Sequence, residues 1–289
     1  MSKSSEILKK LHQDVESFKE SGELENYFKF CGKFINRSFN NQILIYFQKP
    51  EATFVKGYKQ WIDDHKRIVV ACTKCRSFKN ADCSCEERTA PKRIEQLAPM
   101  TKKTGNIING EEEEVLFFRV VYVFDIADTE ALEGGEEIPE ITSWVNFDIE
   151  NANELESRFV EIINNNSFSF RYDSWDSKNL NGFCDFQKQE IVISADRPKA
   201  QQIKTIIHEI GHMFAHNRDE SMKCDDPRGL REVEAESIAY VVANMLGLDT
   251  SDYSIGYVAS WSDSDEGSLK KSIGTVTKTA EKIMDLLGS

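Results

Sequence analysis

Apolar side chains near the start of the chain, Ile7, Leu8, Leu11, Val15 and Phe18, recur mostly three and four residues apart. That is the period of an amphipathic helix, which Gly22 would end. A Phe- and Tyr-rich stretch from Leu24 to Phe47 predicts further helix, stopped by Pro50. β-Branched and aromatic residues then gather at Arg67 to Cys72 and at Leu116 to Phe124, which predicts two short strands. Between them, a Lys-rich connection and the run Glu111 to Glu114 read as loop. The acidic segment Asp128 to Pro139, with Gly134 and Gly135, reads as a linker. The resulting division is a first domain at 1–130, a linker at 131–150 and a second domain at 151–289.

Beyond the linker, the pattern predicts a helix at Ala152 to Asn164 and a strand at Phe168 to Tyr172. Asn181-Gly182 is a hairpin-type turn signal, and Glu190 to Ser194 is a compact strand. Pro198 opens a helix reaching about His216, and Leu230 to Leu246 forms another, closed by Gly247. Helices and strands follow one another without an internal repeat, the order of an α+β protein.

A chain of 289 residues, 40% hydrophobic and 29% charged, has the apolar mass for two globular cores. No stretch approaches the roughly 20 apolar residues that span a bilayer, and none resembles a secretion leader. The expectation is a soluble, cytoplasmic protein with no membrane partner. Seven cysteines, four of them within Cys72 to Cys85, suit reduced thiols or a metal better than a disulfide framework. The net charge of −13 argues against nucleic acid only until it is divided along the chain. Residues 131–289 hold 15 Lys/Arg against 29 Asp/Glu, whereas residues 26–103 hold 16 against 7.

His208-Glu209-Ile210-Gly211-His212 has the spacing of a zincin site. Residues four apart share one face of a helix, so both imidazoles can reach one tetrahedral zinc ion while Glu209 stands about 100° round as general base. Zinc in such a site lowers the pKa of water toward about 7 and polarises a scissile carbonyl. Against this stands the plain alternative of two histidines and a glutamate on a solvated helix face. The strand at Glu190 to Ser194 offers an edge for an extended peptide. Downstream, Glu232-Val-Glu-Ala-Glu236 resembles the third-ligand helix of zincins whose third ligand is Glu. The resemblance implies Glu232 as ligand and Glu236 as a carboxylate holding a histidine ring, with Glu234 the alternative ligand. His216 lies one turn beyond His212, about 6 Å further along the axis, and is expected at the surface or behind the ligands.

Two further patterns carry chemistry. Cys72-x-x-Cys75 and Cys83-x-Cys85 could close a second, structural four-thiolate zinc site; the alternative is four reduced cysteines in a flexible insertion. Basic and aromatic residues interleave over Arg37, Lys56, Tyr58, Lys59, Trp61, Lys66 and Arg67, with Asn41 in the segment Ser38 to Ile45, as in a groove for single-stranded nucleic acid. Many of those aromatics are also needed to build a core.

Ser38 to Ile45, Ala52 to Trp61, Val121 to Thr129, the His208 to His212 motif, Glu232 to Val241 and Tyr257 to Trp261, in this order, resemble the ArdC-type antirestriction proteins of mobile elements. The resemblance implies an α/β N-terminal domain that binds single-stranded DNA and a zincin-like C-terminal metallopeptidase domain. It also implies a role in shielding incoming DNA from restriction enzymes. The chain departs from that pattern at Asp63 to Arg67 and in the cysteine insertion, so the family's DNA contacts do not carry over directly to residues 62–104, where a zinc knuckle would replace part of that surface. Two other functions stay open. One is a cytoplasmic regulatory zinc protease cleaving a repressor or restriction component. The other is a DNA-binding or DNA-mimicking protein whose zinc is structural.

Overall fold

A computed structural model describes residues 23–78, 82–108, 111–135, 152–175, 180–216, 228–248 and 266–288, with isolated positions between 3 and 18. The Tyr257 to Trp261 segment and most of the expected linker lie outside the described residues. The chain divides into two compact units, Met1–Glu16 with Asn40–Ile141, and Ser17–Phe39 with Thr142–Ser289. Residues 17–39 therefore count with the second unit, although they stand in the first half of the sequence.

The Phe-rich stretch is two helices, not one: α1 (Glu23–Cys31) continues through a 3-10 turn at Gly32–Phe34, and α2 (Phe39–Gln48) starts afresh. In the first unit α2 is followed by β1 (Val55–Gly57), α3 (Tyr58–His65) and β2 (Arg67–Val69). Then come two 15-residue strands, β3 (Ile94–Ile108) and β4 (Glu111–Asp125), and finally β5 (Thr129–Ala131). The sheet runs β1-β4-β3, and β2 pairs with β5, all antiparallel.

The Lys-rich connection and the Glu111 to Glu114 run, expected as loop, instead form the far end of the β3–β4 ribbon. Lys103 stands opposite Glu114 and lies 3.1 Å from Glu112, so opposite charges paired across the strands replace the apolar alternation that signals a strand.

Two amides pin α2 to β3. Asn41 gives and receives main-chain hydrogen bonds with Leu97 (3.0 and 2.8 Å), and Gln48 does the same with Glu95 (3.0 and 2.8 Å). The Val121 to Thr129 segment is a second fastening. Asp125 accepts from the backbone N–H groups of Thr53, Phe54 and Ala127, and buried Lys49 pairs with Asp128 at 2.8 Å. Each buried charge thus has its partner.

The second unit stacks helices on a small mixed sheet. α4 (Ala152–Asn165) leads to β6 (Ser169–Asp173), β7 (Gly182–Asp185) and β8 (Glu190–Ser194), ordered β6-β8-β7, with β6 parallel and β7 antiparallel to β8. Asn181-Gly182 does not turn a hairpin; the β7–β8 reversal falls at residues 186–189, where Gln189 takes φ of 50°. α5 (Lys199–His216) then packs on α6 (Arg228–Met245), and α6 on α7 (Glu266–Gly288). Ala235, Ile238, Ala239, Val241, Val242 and Ala243 are all fully buried, which makes α6 the central helix. Each fully buried Ile in this core contributes about 1.5 to 3 kcal/mol. α6 ends as the sequence suggests, at Gly247 with φ of 68°, whose successor Leu248 donates back to Ala243. Among the described residues no helix is long and apolar enough to cross a membrane.

Candidate metal centre

α5 has two unlike faces. Ile203, Ile206, Ile207, Ile210 and Met213 are buried, while Gln201, Thr205, His208, His212 and His216 form a stripe at three- and four-residue spacing that lines a cleft of about 1050 Å³. Gln202 fastens the start of the helix to the end of β8 through Ser194 and Ala195 carbonyls. Gly182, Phe183 and Cys184 of β7 and Arg231, Glu232 and Glu236 of α6 line the same cleft. Among the described residues β7 is a terminal strand of its sheet, unpaired on one edge, and lines the cleft, so the edge there that could take an extended chain belongs to β7, whereas β8, the strand preceding the helix, is central. Gly182 permits the close approach of β7 to α5: a Cβ there would stand 2.7 Å from Thr205 Cγ2 and 2.9 Å from Ile193 Cδ1.

The Nε2 atoms of His208 and His212 are 3.1 Å apart, and Glu232 Oε2 lies 3.5 Å from each. Ligands about 2.1 Å from a tetrahedral zinc ion stand roughly 3.4 Å from one another, so these three atoms could hold such an ion without rearrangement. Behind them, His208 Nδ1 lies 3.1 Å from Glu236 Oε2. His212 Nδ1 lies 2.9 Å from His216 Nδ1, and His216 Nε2 lies 2.9 Å from Glu234 Oε2. Glu234, the alternative ligand, is thus engaged with His216, whose side chain is buried behind His212 rather than at the surface.

Glu209 lines the cleft yet is only 6% exposed. Burial raises its carboxyl to about 7 against the pull of His208. Burial also lowers His212, and the two histidines hold Glu232 well below the usual carboxylate range. His208 is pulled down by burial but carried up to about 10 by Glu232 and Glu236.

The four cysteines of the first unit also come together, with Cys72 Sγ 3.9 Å from Cys85 Sγ and Cys75 Sγ 3.6 Å from Cys83 Sγ. All four are free thiols. The Ser77 hydroxyl beside Cys75 draws its thiol down to about 6, while the neighbouring thiols, Cys75 first, push Cys85 up to about 12.

The residues singled out for DNA fare differently. Trp61 is fully buried and donates to the Phe124 carbonyl at 2.9 Å, so it is core and no platform for a base. Both ends of the Asn41 amide are taken by Leu97. Arg37 falls in the second unit, half-buried. Arg67 bonds Thr129. Tyr58, Lys59 and Lys66 are exposed, and Lys56 is half-buried over the Phe54 ring.

Residues 168–270 match the family described as the IrrE N-terminal-like domain, peptidase M78. The metal-free crystal structure of the antirestriction protein ArdC from plasmid R388 superimposes with a TM-score of 0.52 at 16% identity, covering 87% of this chain and 84% of that one. The chain has the ArdC fold. Its second unit holds the peptidase M78-like domain, and the His208, His212 and Glu232 cluster lies within that match. A Bacillus anthracis protein described as uncharacterized is 24% identical over 98% of this chain. The chain spans about half the length, 51%, of that curated relative.

Proposed function

We propose that the chain is an antirestriction protein of the ArdC type whose second unit is a zinc-dependent peptidase and whose first unit binds single-stranded DNA. The peptidase part rests on one observation: two imidazole nitrogens and a carboxylate oxygen converge at tetrahedral spacing beside a buried Glu209, in a cleft also lined by β7, a strand with an edge unpaired among the described residues. His208, His212 and Glu232 would hold the ion, leaving one position open, as catalytic zinc sites do. When bound, zinc supplies a Lewis acid for a peptide carbonyl and lowers the pKa of water.

The chain's own residues do the rest. Glu236 and His216 fix the two rings in orientation, β7 aligns the peptide by main-chain pairing, and Glu209 takes a proton from the attacking water and passes it to the leaving nitrogen. The DNA part is supported by the likeness to ArdC and by exposed Tyr58, Lys59 and Lys66 in a locally basic stretch.

The test is to incubate zinc-loaded full chain with a mixed peptide library and map new termini by mass spectrometry. Cleavage by the wild type, absent in Glu209→Gln of equal zinc content, is the expected result; no cleavage by the loaded wild type removes the peptidase from the reading. The use of Asn41 and Trp61 in holding the fold together favours a second reading, a regulatory protease acting on a repressor or restriction component. Cleavage without measurable affinity for a labelled single strand would select it.

A further inference from the structure

From Ala71 to Arg93 the only buried residue among those described is Cys72, and Phe78 is 48% exposed. A segment this poor in apolar burial has no hydrophobic reason to adopt one conformation. Its described residues are nevertheless ordered in detail. Ala71 donates to the Ser77 carbonyl at 2.7 Å, Thr73 donates to the Thr89 carbonyl at 2.8 Å, and Arg76 takes a left-handed φ of 59°.

At the centre of these bonds the four Sγ atoms lie within 4.8 Å of one another, with separations of 3.6 and 3.9 Å across two of the pairs. A tetrahedral ion with zinc–sulfur bonds of about 2.3 Å places its sulfurs roughly 3.8 Å apart, whereas a disulfide needs about 2.05 Å. Main-chain N–H groups of Cys75, Thr89 and Lys74 face Cys72 Sγ, the arrangement that stabilises a thiolate.

We propose that Cys72, Cys75, Cys83 and Cys85 bind one zinc ion as four thiolates, a closed structural site that folds the insertion and fixes Arg76 on β5. Four thiolates and Zn²⁺ carry a net charge of −2, which the main-chain N–H groups at Cys72 and the adjacent Lys74 would partly offset. Arg76 leaves the site directly after Cys75 and reaches Glu130 and the carbonyls of Ala127 and Thr129. The ion therefore holds one end of a clasp whose other end is the β2–β5 pair. The site is independent of the histidine cluster, whose ligands lie in the other unit.

Elemental analysis of the full chain tests this. In His208→Ala/His212→Ala protein one zinc per chain is expected to remain, and adding Cys83→Ser/Cys85→Ser should remove it. Unchanged zinc after the cysteine substitutions, or iron in its place, overturns the proposal, whatever metal the histidine site holds. Because serine variants can fail to fold, a second measurement uses the cysteine-intact protein: cobalt loading of the His208→Ala/His212→Ala chain should give a thiolate-to-cobalt charge-transfer band in the near ultraviolet. Absence of that band also overturns it.

Discussion

In the proposed peptidase Glu209 would be held between opposite demands, since a general base must ionise and burial resists ionisation. Burial raises its carboxyl to about 7 against an ordinary value of 4.5. Because the folded value is the higher one, the folded state holds the proton through this window. Stability is fully present below about 4.5 and falls as pH rises through about 7. Glu209→Gln removes that loss. Denaturation of the metal-free variant, followed from pH 4.5 to 7, should show a flatter profile than the wild type; parallel profiles would mean the carboxyl is not perturbed.

Asn41→Ala leaves the Leu97 N–H and carbonyl without partners and should cost about 1 to 3 kcal/mol in denaturant melts. DNA affinity per folded molecule should stay unchanged. The His208-Glu209-x-x-His212 spacing is readable in the sequence because helix period alone puts both rings on one face. The roles of Asn41 and Trp61 are not, because composition cannot tell an exposed polar or aromatic group from one used in packing.

Among the elements, α5, α6 and β8 coincide with their sequence patterns, α5 through its apolar stripe and α6 and β8 through near-continuous apolar runs that are buried on most sides. β3 and the first residues of β4 do not, since cross-strand Lys and Glu hide the alternation at the end of the ribbon, whereas the pattern at Leu116 to Phe124 coincides with the rest of β4, where Leu116, Phe117 and Phe118 are exposed. β7 is hidden in the sequence for a different reason: Gly182 resembles a turn residue, but its missing side chain serves the approach to Thr205. Gly182→Val should therefore push the edge strand off α5. The expected result is at least a tenfold drop in peptide cleavage with zinc content unchanged, since no ligand lies on β7. Cleavage equal to the wild type would show that the β7 edge does not align substrate.

Over the whole chain the charge of −13 works against any polyanion, so DNA affinity has to come from a local field. Residues 40–103, all in the first unit, carry 13 Lys/Arg and 7 Asp/Glu, but residues 104–141 of the same unit carry 1 and 11. The unit as a whole is thus no general binder of phosphate, and any DNA-binding surface is confined to the basic stretch. There Lys59, next to exposed Tyr58 at the start of α3, and Lys66, at the end of α3, are both exposed. Reversing both charges in Lys59→Glu/Lys66→Glu should weaken binding to a labelled single strand at every sequence tried. Ion pairs with phosphates also set the salt dependence, so the slope of log affinity against log salt should become shallower by about 0.7 for each phosphate left unpaired. A reduced affinity with an unchanged slope would trace the effect to misfolding. Wild-type affinity in the double variant would move the DNA surface away from α3 altogether.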